Sequence, residues 1–213
     1  MRITVFGAAG NVGSRVVAEA LSRGHEVTAV VRDPARFHEL HADASVRAGD
    51  AGSVEDVVEL SAGQDAVISA TRPASGRESE LVTTTKVLMD GLARTGVRLL
   101  LVGGTARLTV PDSGGIALID DPKFLPASSR VIAQACLDQF EACRAETRVD
   151  WAYLSPPAQM EPGERTGNYR LGTNELVLDA EGNSKISTED LAVVLLDEAE
   201  QPKHHRIGFT AAY

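Results

Sequence analysis

Cysteine is almost absent from this chain of 213 residues: Cys136 and Cys143 are the only two. Both fall in one helix-period segment, where a rise of about 1.5 Å per residue sets them roughly 10 Å apart, beyond the reach of a disulfide. No Cys-x-x-Cys occurs, so a thiol redox or zinc role has no motif behind it, and two reduced thiols suit a cytosolic protein. Aromatic residues make up only 4%, with one Trp and three Tyr, which leaves few platforms for stacking a planar ligand. Positive charge is in deficit. The 21 Lys and Arg against 30 Asp and Glu give a formal net charge of -9, which opposes attraction to phosphate backbones and anionic lipid, so nucleic acid is not an expected partner. No apolar run approaches the 18 or so residues of a spanning helix, and the short N-terminal apolar stretch lacks a cleavage-site pattern. These absences point to a cytoplasmic protein with no membrane contact.

What the chain does contain is a full core's worth of apolar residues, 43% hydrophobic against 24% charged. At about 150 residues per domain, that predicts a single domain over residues 1-213. Short β-branched runs at Ile3 to Phe6, Glu26 to Val31, Val46, Ala66 to Ser69, Arg98 to Val102 and Trp151 to Leu154 alternate with helix-period segments. The helices are expected from about Asn11 to Arg23, Ser53 to Leu60, Glu78 to Thr95 and Ser129 to Glu146. This alternation predicts βαβ units and a doubly wound α/β sheet of six parallel strands. A further helix opens at Ser187-Thr188-Glu189-Asp190, a capping-box-like start, and a closing strand follows His204-His205. Residues 108-128 and 156-184 break the rhythm with Pro and Gly. They are expected to form a small acceptor-side lobe, with short strands at Asn168 to Arg170 and Glu175 to Leu178 joined by a turn at 179-183.

The most informative segment is Gly7-Ala8-Ala9-Gly10-Asn11-Val12-Gly13, between the first strand and the first helix. Gly7 permits a tight turn out of the strand, Gly10 allows backbone N–H groups to approach a diphosphate, and Gly13 lets the helix pack close to the sheet. The helix N-terminus then offers unpaired donors and the positive end of its dipole to an anion. Dinucleotide binding follows. At the end of the second strand, Asp33 and Pro34 fit a helix cap and first turn, which leaves Arg32 facing the ribose and favours NADP(H), with NAD(H) possible. The alternatives for Arg32 are pairing with a local carboxylate and stacking on an adenine.

These features together resemble the atypical short-chain dehydrogenase/reductases with a Rossmann, NmrA-like NAD(P)H-binding domain. The resemblance rests on Gly7-x-x-Gly10-x-x-Gly13, Val31-Arg32-Asp33-Pro34, Gly49-Asp50, Asp65 to Ala70, and Asp150-Trp151 leading to Leu154-Ser155-Pro156-Pro157. The run Glu161-Pro162-Gly163-Glu164-Arg165-Thr166-Gly167-x-Tyr169-Arg170-Leu171-Gly172 is similar to the subgroup called NADH-flavin reductases. The resemblance implies that Ala8, Gly10, Asn11 and Val12 wrap the diphosphate and that Arg32 holds the adenosine phosphate. It also implies that Asp50 accepts from the adenine amino group, the alternative for Gly49-Asp50 being an ordinary turn. Ala70, Thr71 and Arg72 would border the nicotinamide ribose. Gly103 and Gly104 would end the fifth strand near the ring, and Ser155, Pro156 and Pro157 would follow the sixth. Hydride transfer to a flavin, quinone or other small planar acceptor is the implied reaction, in a monomer or homodimer.

The chain departs from the typical pattern at the proton donor. No Tyr-x-x-x-Lys is present: Pro157 stands four residues after Tyr153, and Thr173 four after Tyr169. Where the subgroup would carry Tyr-Lys, the sequence reads Ala127-Ser128-Ser129-Arg130, whose hydroxyls suit helix caps. Carbonyl reduction wants a strong general acid, whereas a flavin or quinone is an electron sink whose proton can come from solvent. A non-catalytic redox sensor that binds NADP(H) and regulates a partner protein is the alternative. Thr105, Arg107 and Tyr169 are the substrate-side candidates, with Arg72 or Arg107 suited to an anionic group on the acceptor. His38 and His41 lack a third ligand, so no metal site is expected.

Overall fold

The β-branched runs fold as strands and the amphipathic segments between them as helices; the computed structural model describes the chain from Met1 to Tyr213. In chain order the elements are β1 (Arg2–Phe6), α1 (Asn11–Ser22), β2 (Glu26–Val31), β3 (Ser45–Ala48), α2 (Val54–Ser61), β4 (Ala66–Ser69), α3 (Glu80–Thr95) and β5 (Arg98–Val102). They continue with α4 (Arg130–Arg144), β6 (Trp151–Ser155), β7 (Gln159–Glu161), β8 (Arg170–Gly172), β9 (Lys185–Ser187), α5 (Thr188–Glu200) and β10 (Ile207–Ala212). The main sheet has the order β3-β2-β1-β4-β5-β6-β10-β8. Every pair is parallel except β10 with β8. Strand order reverses between β1 and β4, and the crevice outside the carboxyl ends of those strands is where such sheets bind ligands.

Period-two alternation divides each central strand between two cores. Val5, Ala29, Ile68, Leu100 and Leu154 face α1 and α5, against Val16, Val17, Leu191 and Leu195. Phe6, Val30, Val67, Leu101 and Tyr153 face the other helices, against Val57 of α2, Leu92 of α3 and Cys143 of α4. No helix is long and apolar enough to cross a membrane.

The two irregular regions do not make one lobe. Leu108, Leu118 and Leu176 form a satellite core with Phe124 and Leu125, and Thr109 bridges both Ala117 and Glu175. That much of residues 108-128 joins only the 173-178 end of the second region. Residues 159-172 run instead as a strap onto the α1 and α5 face. There β7 pairs in parallel with β9, Arg165 grips Glu19 with two contacts of 2.7 Å, and Thr166 and Gly167 donate to Asp190. Glu19 and Asp190 are buried carboxylates that need donors, and the strap supplies them. The expected strand at Asn168 to Arg170 begins two residues later, as β8 on the antiparallel edge; Glu175 contributes one bridge rather than a strand. Asp179 does organise the turn that follows, accepting from the backbone N–H groups of Glu181 and Asn183.

Candidate functional site

The turn between β1 and α1 is built on three close approaches. Gly7 has φ +80 and lies against the end of β4, where a Cβ would come 2.7 Å from the Ala70 carbonyl oxygen. A Cβ on Gly13 would fall 2.1 Å from the Gly7 carbonyl oxygen, so α1 packs on the turn at backbone contact. Gly10 occupies the N-cap of α1 and makes no side-chain cap bond. The caps of α2 and α5 do make one, with Ser53 Oγ accepting from Asp56 N and Ser187 Oγ from Asp190 N. The N–H groups of Asn11, Val12 and Gly13 therefore have no partner in the chain, and the first turn of α1 carries no acidic residue. Free donors, a positive dipole end and no side chain over them make a cradle for a diphosphate. The residues present fit that group.

On one side of the cradle, Gly49 N donates to Val31 O and Ala8 N to Val30 O, so the ends of β2 and β3 meet the glycine turn. Arg32 is exposed and makes no hydrogen bond or ion pair within the chain. Asp33 is committed as a cap, accepting from Ala35 N at 2.9 Å, with Pro34 at the first position of the short 3-10 helix that follows. Arg36, not singled out from the sequence, sits on that 3-10 helix and donates to Ala9 O at 3.2 Å while paired with Glu39. Pro34 is the signal that pointed to it, because it fixes the turn that aims residue 36 back at the cradle. Asp50 is exposed; its Oδ1 accepts from Gly52 N, and its Oδ2 makes no bond within the chain.

On the other side, Ala70 N donates to Phe6 O and Gly103 N to Leu154 O, which gathers the ends of β1, β4, β5 and β6 along one edge. Thr71 exchanges a hydrogen bond with Ser69, and Arg72 is exposed. Gly103 is dictated by Tyr153, whose ring would lie 1.8 Å from a Cβ there. The Tyr153 hydroxyl accepts from Gly104 N and meets Cys136 O and Gln139 Oε1 at 3.1 and 3.2 Å. Gln139 in turn donates to Thr85. Burial, above all, pushes the Tyr153 phenol far above its ordinary value, and burial pushes the Cys136 thiol up to about 11 against the pull of Arg72. Thr105 Oγ1 donates to Pro157 O, and Arg107 Nε to Ser155 Oγ at 2.8 Å; Ser155, Pro156 and Pro157 are all buried.

Tyr169 is not brought to this edge. Its hydroxyl donates to Asp197 at 2.6 Å in the last turn of α5, and Asp197 pairs with Arg23 just beyond the far end of α1. Twelve residues of α1 separate Arg23 from the cradle, about 18 Å at 1.5 Å per residue. The strap that carries Tyr169 lies on the α1 and α5 face, which corrects its assignment as a substrate-side residue. Ser129 stands at the N-cap of α4 without a side-chain cap bond, a second departure from the expected role. His38 bonds Ala35 O and His41 lies near Asp43, so the two histidines do not converge.

Fold and cradle define a Rossmann-type dinucleotide-binding protein. The family described as NAD(P)H-binding matches residues 7–202, and the chain belongs to it. It is 35% identical over 99% of its length to the uncharacterized protein YwnB of Bacillus subtilis strain 168, covering 97% of that protein. Two solved structures superpose over 100% of the chain with a TM-score of 0.89 at 39% identity. One is described as a candidate exported protein of Burkholderia pseudomallei and is covered fully; the other, from Bacteroides thetaiotaomicron, is described as a candidate epimerase and is covered to 96%. A third, described as a candidate NADH-flavin reductase from Streptococcus pneumoniae, is 30% identical with a TM-score of 0.88, over 100% of this chain and 99% of that one.

Proposed function

We propose that the chain is an NAD(P)H-dependent oxidoreductase that passes hydride to a flavin, quinone or other small planar acceptor, with NADPH preferred. The observation that carries the reading is the trio of unpartnered N–H groups at the start of α1, placed where strand order reverses. When bound, the nicotinamide cofactor supplies the hydride. Asn11, Val12 and Gly13 N–H groups hold the diphosphate, with Gly7, Ala8 and Gly10 shaping the turn around it. Arg32, assisted by Arg36, takes the adenosine phosphate, and the free Oδ2 of Asp50 faces the adenine beside Gly49. Ala70, Thr71 and Arg72 line the nicotinamide ribose, Gly103 keeps the end of β5 low, and Ser155, Pro156 and Pro157 wall the far side.

NADPH preference rests on charge commitment at the end of β2. The acid there, Asp33, is spent on Ala35 N, and Glu39 is held by Arg36, which leaves the Arg32 guanidinium uncommitted beside the ribose position. The acceptor class rests on the missing proton donor. Tyr153 is locked between Gly104 and the α4 backbone, Cys136 is raised to about 11, and the Thr71 hydroxyl exchanges its bond with Ser69. An acceptor that takes its proton from solvent suits that edge, as the flavin reductase description of the Streptococcus relative also suggests. The same lack of a proton donor favours, as the second reading, an NADP(H)-binding sensor that regulates a partner.

Titration with NADPH and NADH, followed through the fluorescence of the nucleotide itself, and then an assay of nicotinamide oxidation with FMN, FAD and quinones separates these readings. Turnover with any acceptor supports the reductase, and tight binding without turnover supports the sensor. Failure to bind either nucleotide overturns both. Arg32→Ala should weaken NADPH about tenfold or more, a loss of about 1.4 kcal/mol, and NADH by less than about twofold. Equal loss for both overturns the NADPH preference.

A further inference from the structure

Arginines withdrawn from solvent in this chain are paired with carboxylates, except one. Arg23 contacts Glu19, Asp197 and Glu200, and Arg98 contacts Asp150 and Glu198. Arg107 is half-buried, yet its only acceptors are neutral: Ser155 Oγ at 2.8 Å, Thr173 O at 2.8 Å and Asn174 Oδ1 at 3.2 Å. One face of its guanidinium lies over the Phe140 ring at 4.9 Å. It also lies so close to Gly208 that a Cβ there would come 2.6 Å from Cζ. Burial draws its pKa down to about 10, the direction expected of a cation without a counter-charge. In a chain with 30 acids and 21 bases, a carboxylate for this slot was not in short supply.

The hydrogen-bond inventory shows what the slot leaves open. A guanidinium carries five N–H donors, and three are used, one each on Nε, Nη1 and Nη2. One hydrogen on Nη1 and one on Nη2 remain, donors that an oxygen of a carboxylate or phosphate can accept. Through Ser155, Arg107 sits at the carboxyl end of β6, on the same edge as Gly103, Gly104 and Thr105. Arg72, just past the end of β4, adds positive potential to this edge, near enough to the Cys136 thiol to favour its ionised form.

We infer that Arg107 is the counter-charge for an oxyanion group, carboxylate or phosphate, carried by the acceptor, so that the substrate of this edge is an anionic planar molecule. This rests on the reductase reading for the word acceptor and on the Arg107 geometry for the word anionic. It divides acceptors that otherwise look alike, because FMN and riboflavin share one ring system and differ in a phosphate.

The test measures binding without nicotinamide, by quenching of flavin fluorescence for FMN against riboflavin, and by competition for a naphthoquinone against its carboxylate derivative. The wild-type protein should hold the anionic member of at least one pair about tenfold more tightly or better. A preference confined to FMN names phosphate, and one confined to the quinone pair names carboxylate. Inorganic phosphate should compete with FMN if phosphate is the group. Arg107→Met should bring the preferred ratio toward one, and Arg107→Lys should keep part of it as a point charge. Retained NADPH binding reports an intact fold in both variants. If Arg107→Met does not fold, the wild-type ratios and the Lys variant decide the matter. No preference in either pair, including no binding by any probe, overturns the proposal, as does a preference that survives Arg107→Met. An anion preference without turnover by any acceptor would sink the reductase reading and leave the anion site standing.

Discussion

Gly13 rests on the carbonyl oxygen of Gly7, 2.1 Å from where a Cβ at position 13 would stand. A methyl there must push α1 off the turn, since the atom it meets is backbone. Gly13→Ala should therefore cost about 1–3 kcal/mol of stability and lower the melting temperature, with NADPH binding lost alongside. Gly10→Ala is the discriminating partner. Its φ is -79, and a Cβ would stand 3.1 Å from the same Gly7 oxygen, a contact that a small shift relieves. It should melt within a few degrees of wild type, yet lose about tenfold or more in NADPH affinity because that shift moves the turn that presents the free N–H groups. Equal effects on stability and binding in both variants would argue against a diphosphate cradle.

The glycine spacing was legible because each glycine answers a local demand: a positive φ at Gly7, an open N-cap at Gly10, backbone contact at Gly13. Strands β1, β2, β4, β5 and β6 were legible for a similar reason, since burial on both faces demands continuous apolar runs, whereas β3 is an exposed edge strand. Arg36 was not, because its reach to Ala9 O depends on how the 3-10 helix after Pro34 lies across the sheet end. Tyr169 was misread because neighbourhood in sequence was taken for neighbourhood in space. The strap's position is set by Glu19 and Asp190, buried acids on helices far from it in the chain, and no local pattern in residues 159-172 reports them. β7, β8 and β9 have three residues each, too few to show a period.

The strap makes stability depend on pH in the acid range. Burial alone would raise the Asp190 pKa, but donors from Thr166 Oγ1, Gly167 N and Tyr213 OH outweigh it and hold the carboxyl below its ordinary 3.8. A carboxylate depressed in the folded state binds its proton more readily when unfolded. Its contribution is thus fully present above about pH 4 and is lost as the pH falls through the lower folded value. Asp190→Asn should destabilise the protein at pH 7 by about 1.5–3 kcal/mol and flatten the acid limb of the stability curve, as urea midpoints between about pH 3 and 7 would show. An acid limb unchanged in the variant would remove Asp190 from that role.

At the opposite, amino edge of the sheet, Arg98 at the start of β5 is held by Glu198 at 2.6 Å, and both are nearly excluded from solvent. Glu198 also accepts from Lys203 N and His204 N and meets His204 Nδ1, which fixes the loop leading into β10. Glu198→Gln leaves a buried guanidinium with only the half-exposed Asp150 as counter-charge. A loss of about 3 kcal/mol is expected, visible as a lower urea midpoint, with NADPH affinity unchanged because the cradle lies at the other edge. A variant that folds as stably as wild type would show that Asp150 alone compensates Arg98.

Tyr153 is the tyrosine at the functional edge, and its surroundings argue that it holds structure rather than a proton. The hydroxyl accepts from Gly104 N at 3.0 Å and faces Cys136 O and Gln139 Oε1, so its own hydrogen is already committed inward. Burial raises its pKa far above the pH at which a general acid works well. Tyr153→Phe should leave the Gly104 N–H unpartnered and cost about 1–3 kcal/mol in stability. Turnover with whichever acceptor the wild type reduces should fall less than about threefold, with the shape of its pH profile preserved. General acid catalysis contributes roughly a hundredfold or more where it operates, so a collapse of that size in kcat, with a lost pH limb, would make Tyr153 the proton donor after all. The acceptor would then no longer need to draw its proton from solvent, and carbonyl substrates would return to consideration.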